Sequence, residues 1–399
     1  MLTAKQMERY AEVLFWGMAR ARKNKFKKND LVAVRYHLPA LPLAEILQEK
    51  LLQAGYNPVL RALMTPVMEK NFYRLANDDQ LVFQAPGEKN LIKSLHGSIS
   101  LLAPESLTHL RGIDSARIGR TATARKPLRD ILERRENEGE FGWTLGMYPT
   151  AELARQAGLN QKEYTSQLVR ACFLNRVDPV AQWQEIFQQA RAIKQWLNRM
   201  KIKTLHIESQ NIDLAITPGE SRRWVGISGH NIPSFEIFLS PDWRGTRGVY
   251  LADMPSYRDG NLVKNLKIEF ADGRAGKITA EQGQAFARKL LAMDEGADKL
   301  GEFSLTDRRF SKINRFMANT LFDENFGGRQ GNCHIALGAS YSDTYSGNPA
   351  DLTKTKKRQL GFNDSALHWD IINTQKKRVT AVLTSGKRRV IYENGQFAL

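Results

Sequence analysis

The first two hundred positions alternate between helical and strand-like spacing of apolar residues. Met7, Tyr10, Ala11, Leu14 and Met18 recur on one helical face, so residues 3–22 are expected to form an amphipathic helix. Asn29-Asp30 interrupts it and leads into the apolar run LVAVRYH, a strand. Pro39 and Pro42 turn the chain into a second helix, LAEILQEKLLQAG, with Gly55 as its C-terminal cap. NPVLRALM follows as another strand. A strand–helix–strand unit calls for a parallel sheet with helices on its faces. SISLLAP and WTLGMYP read as further strands, and PLRDILERR and residues 178–200 as helices.

The period changes near Lys201. From there short β-rich runs (LHIES, IDLAITPGE, RRWVGISG, FEIFLSP, GVYLAD, VKNLKIEFADGRAG) are separated by turn residues. Pro218-Gly219, Asp259-Gly260 and Asp272-Gly273 are expected to close hairpins. A helix is expected from Thr279 or Ala280 to Met293, and another over RRFSKINRFMANTLF (308–322). VTAVLTSGKRRVIYENGQFAL reads as a hairpin and a last strand. The expected fold is an α/β N-terminal domain, residues 1–200, with a parallel sheet and flanking helices. An α+β C-terminal domain, residues 201–399, follows with a mostly antiparallel sheet. The first serves as scaffold or dimerisation domain, because prolines stand where a nucleotide-binding turn needs glycines.

Composition narrows the class. An apolar content of 42% with 25% charged residues is that of a globular protein. No apolar run approaches the roughly 20 residues that span a bilayer, so no membrane partner is expected. The first helix carries Lys5, Glu8, Arg9 and Glu12, unlike a secretion signal. Two cysteines, Cys172 and Cys333, make no disulfide framework. A cytoplasmic enzyme is expected. The net charge of +17 is spread along the chain, in no recognisable nucleic-acid module and without interleaved aromatics, so a nucleic-acid partner is open but not favoured.

Candidate chemistry lies in the second half. Glu236, Glu302, His334, His368 and Asp370 stand in or beside apolar runs, where an unpaired charge is costly. His368 and Asp370, two apart in a strand-like segment, point to one face. Singly, each has an ordinary reading: a surface acid, a structural histidine, a His–Asp pair. Together they offer oxygen and nitrogen ligands suited to zinc, cobalt or manganese, and Tyr341 offers a hydroxyl for an oxyanion. That points to metal-assisted hydrolysis. Neither a G-x-S-x-G elbow nor an H-E-x-x-H helix is present.

NIPSFEIFLSP, LGEFSL, TLFDENFGGRQGNCHIALGASY and NDSALHWD resemble segments of the thermophilic metallo-aminopeptidases, the family of aminopeptidase T, aminopeptidase S and PepS. The resemblance runs through nearly the whole chain. It implies an exopeptidase that releases N-terminal residues from peptides with a free amino end, using water activated by two divalent ions. It further implies Glu236, Glu302, His334, His368 and Asp370 as metal ligands, Tyr341 as an active-site residue beside Glu236 and Glu302, and a homodimer. Asp323 and Glu324 are expected to support the site through hydrogen bonds. The chain departs from the family pattern at Phe235 (commonly Gly), at Leu239-Ser240-Pro241 (commonly small-Ala-Pro) and in a longer FGGRQGN. The competing functions are a dinuclear phosphoesterase or nuclease, and a non-catalytic nucleic-acid-binding relative.

Overall fold

Thr3 starts the first helix, Ala4–Ala21: its hydroxyl accepts from Gln6 N while Gln6 Oε1 accepts from Thr3 N. The buried stripe of this helix, including Tyr10, Leu14 and Met18, packs on the strand Gly142–Met147. The computed structural model describes all 399 residues. They form two compact units, Met1–Glu185 with Ile227–Ser234, and Ile186–Gly226 with Phe235–Leu399.

The first unit is built on a wholly parallel five-stranded sheet. Its order is Asn57–Ala62, Leu31–Tyr36, Gly97–Leu102, Gly142–Met147 and the two-residue Asn231–Ile232. Val32, Val34, Ile99 and Leu101 are fully buried at its centre. The expected second helix is found at Leu41–Gln53, and PLRDILERR lies within the longer helix Ser115–Asn137.

The second unit holds two main antiparallel sheets. The larger has eight strands, with Asp242–Ala252, Asp213–Thr217, Ile202–Ser209 and Lys377–Leu383 near its middle. The smaller has four, in the order His368–Asn373, Asn332–Gly338, Leu300–Thr306 and Glu236–Leu239. They are tied by Tyr250, whose buried hydroxyl lies 2.8 Å from Ile371 O and 3.2 Å from Cys333 O. Asp259-Gly260 and Asp272-Gly273 both take positive φ, as a two-residue hairpin loop requires. The fold class is therefore the one expected. No helix is long and apolar enough to cross a membrane.

Four local expectations fail. RRWVGISG forms no strand and contributes only isolated bridges, Arg222 to Tyr345 and Val225 to Phe238. The helix after Thr279 is only Gln284–Leu290, because the preceding residues complete the strand Arg274–Thr279. Residues 308–322 do not form a helix; only Thr320–Asp323 is helical. Side chains take over the backbone groups a helix would use. The Asp323 carboxylate accepts from Met317 N (2.7 Å) and Asn319 N (2.9 Å), and the Ser311 hydroxyl accepts from Ile313 N (3.2 Å). Pro218-Gly219 closes no hairpin, since Thr217 pairs with Asp242 of a distant strand.

Candidate metal centre

In the four-stranded sheet, residues paired across strands share a face. Glu236 pairs with Thr306, and Thr306 with Asn332. Ser304 pairs with His334 and with Phe238. Glu302 pairs with Ala336, and Ala336 with Asp370; Gly338 pairs with His368. The five expected ligands thus rise from one face, brought together by register from four strands. All residues of Leu300–Thr306 and Asn332–Gly338 are buried, so Glu302 is no surface acid. Two glycines let backbone close in around this sheet. A side chain at Gly226 (φ +128°) would collide with Glu236 O, and one at Gly338 (φ +105°) with Leu367 O.

His334 Nε2 lies 3.1 Å from Glu302 Oε1 and 3.2 Å from Glu236 Oε2. His368 Nε2 lies 3.3 Å from Asp370 Oδ1 and 3.8 Å from Glu302 Oε2. Glu302 therefore turns one oxygen to each imidazole. His368 Nδ1 bonds Ala339 O at 3.0 Å, which leaves Nε2 as the ligand atom. The Ser304 hydroxyl donates to Glu236 Oε2 at 3.1 Å. Arg258 donates to His368 O at 2.8 Å. His334 Nδ1 is buried without an acceptor.

The charges are strongly coupled through this buried space. Burial pushes Glu302 up to about 7, against the lowering effect of its bond to His334. Burial opposes charge on His368, but Asp370 overrides it and raises the imidazole to about 9. Asp370 falls to about 2, because the adjacent His368 outweighs the cost of burial. His334 is raised well above its ordinary value: Glu236 and Glu302 outweigh burial. Glu324 is raised well above the carboxylate range by burial and by repulsion from Glu236 and Asp370. Four carboxyl groups thus face two imidazoles, and the protons that this buried set retains are ones a bound cation would displace. Glu236, Glu302 and His334 already bring ligand atoms within 4.8 Å of one another, so the donor set fits a divalent metal.

Tyr341 stands at the open side, 41% exposed, its ring 4.7 Å from His368 and 5.9 Å from Phe238 between centroids. Its backbone N–H donates to Ser240 Oγ at 2.8 Å. The phenol is raised well above 10 by burial and by repulsion from the Glu302 and Asp370 carboxylates. Glu324 is set by its own carbonyl, which accepts from Thr306 Oγ1 (3.1 Å) and Asn332 Nδ2 (2.9 Å). Asp323 instead caps backbone in the preceding loop.

Sequence reading missed Ser304, Ala336, Ser240 and Asn325. The first two follow from alternation once Glu302 and His334 are placed on strands. Asn325 accepts from Phe235 N at 2.5 Å and donates to Leu321 O, joining the loop to the start of the Glu236 strand. No local pattern signals that contact.

A family model described as thermophilic metalloprotease (M29) matches residues 3–397. Aminopeptidase AmpS of Bacillus subtilis is 28% identical over 334 residues, covering 79% of this chain and 80% of that protein. Aminopeptidase PepS of Streptococcus thermophilus is 26% identical over 360 residues, 85% of this chain and 83% of that one. Aminopeptidase T of Thermus aquaticus is 30% identical over 274 residues, 65% and 63% of the two chains. The solved structure of wild-type AmpT from Thermus thermophilus matches with a TM-score of 0.79 at 23% identity, over 99% of both chains, which speaks for the fold alone. A match that runs from residue 3 to residue 397, on a chain whose buried carboxylates and imidazoles suit a divalent cation, has one consequence: the chain belongs to the thermophilic metalloprotease family, M29.

Proposed function

We propose that this protein is an aminopeptidase that releases N-terminal residues from peptides and holds two divalent ions, zinc, cobalt or manganese. The observation that carries the reading is the placement of Glu302 between His334 and His368, one carboxylate oxygen toward each. Glu236 and His334 would hold one ion, His368 and Asp370 the other, and Glu302 both. When bound, such ions supply Lewis acidity and lower the pKa of water toward neutrality.

The protein's own groups do the rest. Ser304 and Arg258 hold Glu236 and the His368 backbone in place. Glu236 or Glu302 takes the proton of the attacking water. Tyr341, with its pKa raised, keeps its proton at neutral pH and donates to the oxyanion that develops on the scissile carbonyl. A carboxylate of the site, or an ion held there, would bind the free α-amine of the peptide and confine cleavage to the N-terminus. In this proposal residues 1–200 are the scaffold and dimerisation part of a cytoplasmic homodimer, and residues 201–399 the catalytic part.

The test is hydrolysis of aminoacyl chromogenic substrates, free and N-acetylated, before and after chelation and with metals restored. Metal-restored cleavage of free substrates alone is expected. Cleavage of acetylated substrates at equal rate, or full activity in metal-free protein, would overturn the proposal.

A further inference from the structure

Ala336 sits at the middle of the site face. It is fully buried. Its partners across the two neighbouring strands are Glu302 and Asp370, and His334 and Gly338 stand two positions before and after it on the same face. Around this point four side chains close a ring. His334 Nε2 is 3.1 Å from Glu302 Oε1, Glu302 Oε2 is 3.8 Å from His368 Nε2, His368 Nε2 is 3.3 Å from Asp370 Oδ1, and Asp370 Oδ1 is 3.9 Å from His334 Nε2. Cβ atoms of directly opposed residues are about 5 Å apart. Glu302 and Asp370 therefore lean toward each other across Ala336, and a longer side chain there would enter the ring.

Strand preference does not explain an alanine. The centre of a buried sheet favours β-branched residues, and the neighbours Ile335 and Leu337, on the opposite face, are large. The other proposed half of the centre, Glu236 with Glu302 and His334, has Ser304 beneath it, whose hydroxyl bonds Glu236.

We propose that Ala336 is the floor of the Glu302–His368–Asp370 half of the centre, a positioning residue whose small side chain makes room for the ion held there. The inference rests on the two-ion reading above. Enlarging residue 336 should therefore cost one ion and spare the other.

The experiment is equilibrium dialysis of the full chain against zinc and cobalt, with metal content and the visible absorption of bound cobalt as readouts. Wild type and Ala336→Ser should each bind two ions. Ala336→Val should bind one, the second weakened at least about 100-fold, the upper end of what a supporting residue does to metal affinity. Circular dichroism and thermal unfolding of the chelated proteins establish that the variant is folded, and Ala336→Thr repeats the test should the valine variant not fold. Two ions in folded Ala336→Val at wild-type affinity would overturn the proposal, and so would loss of both ions. One ion or none in wild type would overturn the two-ion reading itself.

Discussion

Glu302→Gln should stabilise the metal-free protein and destabilise the metal-loaded one. The substitution keeps the shape of a side chain that is 3% exposed and removes its charge. In the metal-free protein Glu302 is raised from its ordinary 4.5 to about 7, chiefly by burial, with Glu236 adding repulsion against the favourable His334. At about 1.4 kcal/mol per pH unit, ionising it in the folded state costs about 3.4 kcal/mol more than in the unfolded chain. The sign follows from linkage. An acid with a raised folded pKa holds its proton more tightly when folded, so stability falls as pH rises from about 4.5 to about 7 and is level above that. Glutamine does not titrate. The metal-free variant should match wild type near pH 4.5 and exceed it by about 2–3 kcal/mol at pH 8. Saturating metal reverses the order, because the variant loses the carboxylate shared by both imidazoles. At a thousand times Kd, bound metal stabilises the wild type by about 4 kcal/mol. Urea denaturation at pH 4.5, 6 and 8, with and without chelator, measures all of this. A metal-free variant no more stable than wild type at pH 8, or equal metal stabilisation of both, would refute the reasoning.

Ser240→Ala removes the acceptor of Tyr341 N–H; at about 1.4 kcal/mol for the bond, kcat should fall about tenfold while metal content is unchanged, as turnover and dialysis will show. In the first unit, Arg22 and Asp30 form a buried pair at 2.5 Å, with side chains 2% and 8% exposed. Arg22→Met should cost about 3–5 kcal/mol by stranding the carboxylate, and the double variant with Asp30→Leu much less. Asp30 is held below its ordinary 3.8: burial raises it, but Lys27 N–H, Arg22 and His96 lower it further. Its contribution is thus present above about pH 4 and lost as pH falls through the depressed value, which acid titration of urea midpoints can follow. Asp323→Ala leaves Met317 N and Asn319 N without their acceptor and should lower stability by about 3 kcal/mol, with Asp323→Asn losing about half of that, read from thermal unfolding.

Much of this was legible in the chain because it depends on neighbours in sequence. The helical stripe of Tyr10 and Leu14, the strands at Leu31 and Gly97, and the positive-φ turns at Asp259-Gly260 and Asp272-Gly273 are local consequences of spacing and turn chemistry. So is the shared face of His368 and Asp370, since a strand repeats every two residues. Tertiary structure decided what locality cannot. Residues 308–322 carry a helix-like pattern, yet Asp323 and Ser311 claim the backbone groups a helix would need. Asn231–Ile232, two residues long, leaves its sequence neighbours to extend the parallel sheet. Glu236, Glu302, His334 and Asp370 meet only because four strands far apart in the chain pair in one antiparallel register. A slip of one residue in any of them would turn its ligand into the core. Side-chain type and spacing determine which groups are available; the register, set by burial of the opposite face, determines that they share one point in space.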